Sequence, residues 1–224
     1  MPDRDLASMA LIGIDRDVYP PSEDSFLLAD ALARVWRSRL AASPPALVVE
    51  LGTGSGYVAC SNALLARACG AEKITKTRAS DVNARACACA EVTFAAHGVS
   101  RDAYDVSLGD LFTPHADAIA LNGGIDVLLF NPPYVVTPSA EVGAVGIEAS
   151  WAGGVRGREV LDRALGSVAR VLAPGGIFLC VLIAQNDPQS VMDALRRDGL
   201  SCEVFSAMKA DEEELCVIKC EKAR

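Results

Sequence analysis

An apolar run, Ala46 to Leu51, leads directly into Gly52-Thr53-Gly54-Ser55-Gly56 and then into a small-residue helix expected over about 57 to 69. Strand, glycine turn, helix is the opening unit of a doubly wound α/β sheet. Glycines at that point let the backbone approach a ligand, and the helix N-terminus favours polar or negative groups. A dinucleotide fingerprint requires a third glycine at position 57, which is Tyr57, so a nicotinamide site is disfavoured. The plainer alternative is that Gly52, Gly54 and Gly56 serve only close packing.

A second stretch, Asp126-Val-Leu-Leu-Phe-Asn-Pro-Pro-Tyr134, reads as a short strand buried on both faces with a stiff loop at its end. Two prolines cannot continue a ladder, and they hold the chain extended where parallel sheets place ligands. The Asn131 side-chain oxygen and the Pro132 carbonyl then offer two acceptors near one point, which suits a planar NH2 donor, and Tyr134 can stack on it. Read alone, Asn131, Pro132, Pro133 and Tyr134 are also compatible with a simple turn.

Between these stretches, Asp81, after a strand ending at Ala79-Ser80, is the candidate acceptor for ribose hydroxyls, with Asn83 beside it. The polar segment Lys73 to Arg78 reads as a small insertion or exposed hairpin. Helix 84 to 97, stopped at Gly98, leads to a third strand at Tyr104 to Leu108, closed by Gly109-Asp110-Leu111-Phe112. Asp110 is a candidate partner for an adenine amino group, with Leu111 on the ring, or else a plain turn residue. The segment 113 to 124 is poorly patterned. Thr137 to Arg156, with the glycine-rich 143–157 stretch and lone Trp151, is a functional lid or substrate loop.

Upstream, Ser22 caps a helix running to about Leu40, with Glu23 and Asp24 favouring its first turn. Residues 1–17 are expected to be a flexible terminus ahead of one domain, 18–224. Downstream come a helix over 157 to 172 ending at Ala173-Pro174-Gly175-Gly176, a buried strand Ile177 to Ile183 and a helix near 188 to 197. A terminal hairpin follows, with strands near 201 to 208 and at Leu215 to Cys220 around a charged turn at Asp211 to Glu214. That gives about seven strands with helices between them.

The formal net charge of −8, with scattered basic residues, disfavours direct nucleic-acid binding, and no run is suited to span a bilayer. The eight cysteines, mostly inside expected helices and strands, are read as reduced and mostly buried, and no metal site is expected. His97 and His115 are read as ordinary residues at a helix end and in a loop.

With these residues in hand, the chain resembles the HemK-type methyltransferases that modify the glutamine of the Gly-Gly-Gln loop in translation termination factors. More narrowly, it is similar to the short eukaryotic form acting on the class 1 release factor. The likeness runs from about Val18 to Lys219. It is carried by Tyr19-x-Pro-x-Glu-Asp-Ser, Glu50-Leu-Gly-Thr-Gly-Ser-Gly, Asn131-Pro-Pro-Tyr-Val-Val-Thr-Pro and Gly146-Ile-Glu-Ala-Ser-Trp-Ala-Gly-Gly-x-x-Gly-Arg-Glu-Val. It implies a Rossmann-like class I S-adenosylmethionine-dependent fold: a seven-stranded, mostly parallel sheet with helices on both faces and a C-terminal antiparallel hairpin. It implies S-adenosylmethionine near Tyr19, Ser25, Glu50, Gly52, Asp81, Asp110, Leu111 and Asn131, and the substrate amide on Asn131 to Tyr134. It also implies a small zinc-binding activator subunit, for which the edge strand Tyr104 to Leu108 offers a docking line. Met1 to Asp17 reads as neither a secretory signal nor a transit peptide, so the expected location is the cytoplasm, with the nucleus as the alternative. Ser25 stands where the family often has Thr, and Ala84 where it tends to have Pro. Rival activities sharing the Asn-Pro-Pro-Tyr site are methylation of adenine N6 or of protein lysine. An inactive cofactor-binding scaffold is a further alternative.

Overall fold

The computed structural model describes residues 5–143, 146–210 and 213–224. The elements are α1 (Glu23–Val35), β1 (Leu47–Leu51), α2 (Tyr57–Ala68), β2 (Lys76–Asp81), α3 (Ala84–Ala96), β3 (Tyr104–Leu108) and α4 (Ala116–Asn122). Then follow β4 (Ile125–Phe130), α5 (Glu159–Val171), β5 (Leu172–Ile183), α6 (Pro188–Arg197), β6 (Leu200–Ala210) and β7 (Glu213–Lys222). Among the described residues the strands form one sheet in the order β3-β2-β1-β4-β5-β7-β6. The first five are parallel, and β7 runs antiparallel to both β5 and β6.

Side-chain alternation along the central strands explains why helices cover both faces. Val48, Val127, Leu129 and Leu179 join a core with α1, α2 and Phe94 of α3, whereas Val49, Leu51, Leu128, Phe130 and Phe178 join one with α5 and α6. A π-helical turn, Trp36–Leu40, extends α1. There the buried Trp36 Nε1 donates to Asn62 Oδ1 (2.9 Å), and Asn62 Nδ2 donates to Thr77 Oγ1 (2.9 Å), joining α1, α2 and β2.

That bond explains part of a departure from the sequence reading. Lys76-Thr77-Arg78 is not in an exposed hairpin but inside β2. Thr77 is buried against Asn62, Arg78 reaches Asp105 on β3 (3.2 Å), and Lys76 Nζ donates to the Asp102 carbonyl (2.8 Å). Within the poorly patterned segment 113 to 124, Ala116–Asn122 is the helix α4. It buries no residue, so it carries no apolar stripe to announce it. Ala173-Pro174-Gly175-Gly176 does not separate α5 from a later strand, because β5 begins at Leu172. Ile125 pairs with Leu172 and Val127 with Ile177, so the Pro-Gly-Gly stretch is a bulge.

Two further expectations change. Cys202 and Cys220 are not free thiols; they form a disulfide between directly opposed positions of β6 and β7, whose Cα atoms lie 4.1 Å apart. Cys69 is exposed and Cys87 half-buried, while Cys60, Cys89, Cys180 and Cys216 are buried. The segment ahead of Val18, expected to be flexible, lies from Asp5 onward against α2 and α3. Ala7 N–H donates to Ser61 Oγ (3.0 Å), Gly13 N–H donates to Thr93 Oγ1 (2.9 Å), and Asp15 pairs with Arg85 (3.1 Å). Asp211 and Glu212 of the charged turn, and Ala144 and Val145 of the glycine-rich loop, lie outside the described residues.

Candidate active site

The carboxyl ends of β1, β2 and β4 open into a cavity of about 330 Å³. After Leu51 the backbone takes positive φ at Gly52 (64°), Gly54 (54°) and Gly56 (80°). A Cβ at Gly52 or Gly54 would meet nothing closer than 3.8 Å, so these two leave space for a ligand. One at Gly56 would lie 2.7 Å from Ala90 Cα. Gly56 therefore serves the approach of α2 to α3 and does not line the cavity, unlike Gly52 and Gly54.

The turn is held by backbone donors. Thr53 N–H donates to the Ser80 carbonyl (2.9 Å), Gly54 N–H donates to Asp81 Oδ2 (2.9 Å), and Asn83 N–H donates to Asp81 Oδ1 (2.9 Å). Burial raises the Asp81 carboxyl above its ordinary range against these donors. Glu50, buried beneath the turn, accepts from Thr53 Oγ1 (2.6 Å) and Ala59 N–H (3.0 Å), yet desolvation pushes its carboxyl up to about 8. Asn83 caps α3 through Arg85 N–H (2.9 Å) and donates to the Asp17 carbonyl (2.8 Å), drawing the segment that carries Tyr19 over the cavity. Asp110 forms an ion pair with Arg163 of α5, and Leu111 beside it takes the left-handed conformation (φ 47°). His115 is buried in a 3-10 turn with Nε2 2.9 Å from Ser80 Oγ; burial lowers its pKa to about 4, which keeps it neutral.

Across the cavity, Asn131 to Tyr134 leaves the end of β4. Asn131 Nδ2 donates to Asp24 Oδ2 (3.0 Å), and the Tyr134 hydroxyl donates to the same oxygen (3.2 Å). The other oxygen of Asp24 accepts from the Ser25 N–H (2.6 Å) and Oγ (3.1 Å). A carboxylate is acceptor-only, so Asp24 dictates which way round the Asn131 amide sits. Among the described residues, Asn131 Oδ1 is buried and has no hydrogen-bond partner. The far wall comes from the glycine-rich loop, where Val135 N–H donates to the Trp151 carbonyl (2.9 Å) and Gly153 N–H donates to the Val135 carbonyl (2.9 Å).

The structure thus brings Tyr19, Ser25, Glu50, Gly52, Gly54, Asp81, Asn83, Asp110, Leu111 and Asn131 to Tyr134 to one cavity and leaves Gly56 outside it. Sequence reasoning missed Asp24 and Arg163 as site residues. Asp24 lies in the quoted Tyr19-x-Pro-x-Glu-Asp-Ser motif, which was its available signal. Asp81 and Asp110 at an open glycine turn, with Glu50 beneath it, present acceptors that fit a ligand bearing ribose hydroxyls and an amino group, and S-adenosylmethionine carries both.

A doubly wound sheet that ends in an antiparallel hairpin, with such a cavity at its carboxyl edge, defines a class I S-adenosylmethionine-dependent methyltransferase. No family model matches the chain. It is 37% identical over 211 residues to methyltransferase HEMK2 of Mus musculus, covering 94% of this chain and 92% of that protein. It is 32% identical to the eRF1 methyltransferase catalytic subunit mtq2 of Schizosaccharomyces pombe, with 91% and 89% covered. Among solved structures, it is similar to the E. cuniculi Mtq2–Trm112 complex, responsible for methylation of the eRF1 termination factor. That likeness has a TM-score of 0.60 at 26% identity over 92% of this chain and 99% of that one. The chain belongs to the HemK-type family of HEMK2 and Mtq2 methyltransferases.

Proposed function

We propose that this chain methylates the side-chain amide nitrogen of the glutamine in the Gly-Gly-Gln loop of the class 1 eukaryotic release factor. The observation that carries the reading is the buried, unpartnered Asn131 Oδ1 on an amide whose NH2 is already committed to Asp24. An oriented acceptor beside the Pro132 carbonyl receives the two N–H groups of a primary amide. The ring of Tyr134, its hydroxyl anchored on Asp24, forms the wall against which the planar amide stacks.

The chemistry needs orientation more than basicity. An amide nitrogen is a poor nucleophile because its lone pair is delocalised into the carbonyl. Two hydrogen bonds at a fixed angle place it in line with the methyl group and draw the lone pair outward. The Glu50, Asp81 and Asp110 side would hold S-adenosylmethionine, which would supply a methyl made electrophilic by its positive sulfur, the S–C bond pair returning to sulfur as the N–C bond forms. Each oxygen of Asp24 already faces two donors, so in this reading it orients Asn131, Tyr134 and Ser25. The nitrogen becomes acidic only as the methyl arrives, and its proton then leaves to solvent.

A heterodimer with a small zinc-binding activator subunit goes with this reading. β3 pairs only with β2 in the described sheet, and exposed Leu108 lies on it, so a partner strand has an edge to extend. The solved Mtq2 relative, in complex with Trm112, supports a partner subunit for this chain. A cytoplasmic location, where termination takes place, follows from the proposed substrate.

Mass spectrometry of purified release factor incubated with the chain, the activator and methyl-labelled S-adenosylmethionine tests the proposal. One added methyl on the Gly-Gly-Gln glutamine is expected, and Asn131→Ala lowers its rate more than about a hundredfold, the scale of one lost transition-state hydrogen bond. Absence of methylation with cofactor binding confirmed, or a methyl on lysine alone, overturns it.

A further inference from the structure

The acceptor loop is anchored at its far end as well as beneath its side chains. Asn186, which follows β5, is fully buried and lies outside the cavity lining. Its Nδ2 donates to the carbonyls of Tyr134 (2.9 Å) and Arg156 (3.0 Å), with that of Gly157 at 3.4 Å, and its Oδ1 accepts from Ile183 N–H (2.9 Å). One amide thus ties the catalytic loop, the segment entering α5 and the end of β5 together. Gly157 completes the contact. It has φ 64°, and a Cβ there would overlap the Tyr134 carbonyl oxygen and sit 2.6 Å from Asn186 Nδ2. Arg158 closes the assembly from outside: it is held by Asp162 (2.7 Å) and reaches Ser190 Oγ (3.3 Å).

We propose that Asn186 is a positioning residue for methyl transfer, fixing the carbonyl end of Pro132-Pro133-Tyr134 while Asp24 fixes the side chains of Asn131 and Tyr134. The inference rests on the reading of Asn131 to Tyr134 as the acceptor clamp. The Pro132 carbonyl belongs to a segment with little internal freedom, so a displaced Tyr134 carbonyl moves Pro132 as well. The cofactor side, built on Glu50, Gly54 and Asp81, shares no hydrogen bond with Asn186. Loss of Asn186 therefore acts on turnover and leaves cofactor affinity alone.

Asn186→Asp keeps the shape and the acceptor for Ile183 N–H but turns an oxygen toward the three carbonyls. Measured in the complex with its activator, kcat is expected to fall by at least about thirtyfold, with the cofactor Kd within about twofold of native, because small misplacements near a reacting atom cost rate steeply. The ratio of variant to native kcat should rise as pH is lowered from about 8.5 to about 6.5. Burial against carbonyls raises the introduced carboxyl's pKa, and its protonated form regains one O–H donor for Tyr134. Gly157→Ala crowds the same carbonyl together with the Asn186 Nδ2 beside it and is expected to show the same split, which keeps the test open if Asn186→Asp fails to fold. A kcat within about threefold of native in a folded variant, or cofactor affinity lost in proportion to rate, overturns the inference. The native chain in the same assay separates the two readings. Native turnover matched by the variants sinks the inference alone, whereas native inactivity with bound cofactor removes the acceptor clamp and the inference with it.

Discussion

The two halves of the cavity are held by different means. On the cofactor side, consecutive β-α units meet through backbone donors: Thr53, Gly54 and Asn83 N–H groups bind the Ser80 carbonyl and the Asp81 carboxylate. On the acceptor side, the orientation of Asn131 depends on a carboxylate 107 positions away and the carbonyl of Tyr134 on an amide 52 positions away. Backbone donors survive most substitutions, whereas a side-chain partner disappears with one. The protein can therefore lose methyl transfer while keeping its cofactor, and the reverse loss needs a change in the turn or in the Asp81 carboxylate that two of its donors bind.

Four substitutions bear on that contrast. The largest effect is expected at Gly56, inside the turn but packed on α3. Ala there adds about 1 kcal/mol for left-handed backbone and roughly 2 kcal/mol for crowding Ala90, so urea denaturation should show about 3 kcal/mol lost. Gly54→Ala, whose Cβ meets nothing nearer than 3.8 Å, should lose only about 1 kcal/mol while weakening cofactor binding. Equal destabilisation of the two would mean that the turn is not divided into a packing glycine and a ligand glycine.

Asp24→Ala comes next. It strands the Asn131 NH2 and the Tyr134 hydroxyl, and turnover should fall about thirtyfold, equivalent to about 2 kcal/mol, with cofactor affinity within about threefold. Cofactor affinity falling as steeply as turnover would erase the distinction between the halves.

The last substitution concerns Glu50, whose carboxyl is raised from 4.5 to about 8 chiefly by desolvation. A raised carboxyl means that the folded state holds a proton the unfolded chain releases. This contribution is fully present below about 4.5 and is lost as pH rises toward about 8. Glu50→Gln should flatten that part of the stability profile, seen as a native-minus-variant thermal midpoint that declines across the window. A constant difference would place Glu50 ionised in the fold.

What could be read from the chain itself follows the same division. Strand, glycine turn and helix are local, so 46–69 was legible from residue type and order. So were β3 at Tyr104–Leu108 and the buried strand before Asn131. Asp24 was legible only as a first-turn acid, because its second role lies in contacts that no local pattern encodes. Lys76 to Arg78 looked too polar for a strand since Asn62 and Asp105, which accommodate Thr77 and Arg78, come from α2 and β3. The Cys202–Cys220 link was hidden for a related reason. Only strand register reveals which positions face each other across a hairpin.

The tie between Asn186 and Tyr134 makes Asn-Pro-Pro-Tyr a poor unit of transplantation. Grafted onto the fourth strand of another doubly wound enzyme, the four letters would arrive without the carboxylate at one end and the buried amide at the other. The smallest heritable module is thus a scattered quartet of places, 24, 131–134, 157 and 186, and a lineage that alters one of them is constrained at the others.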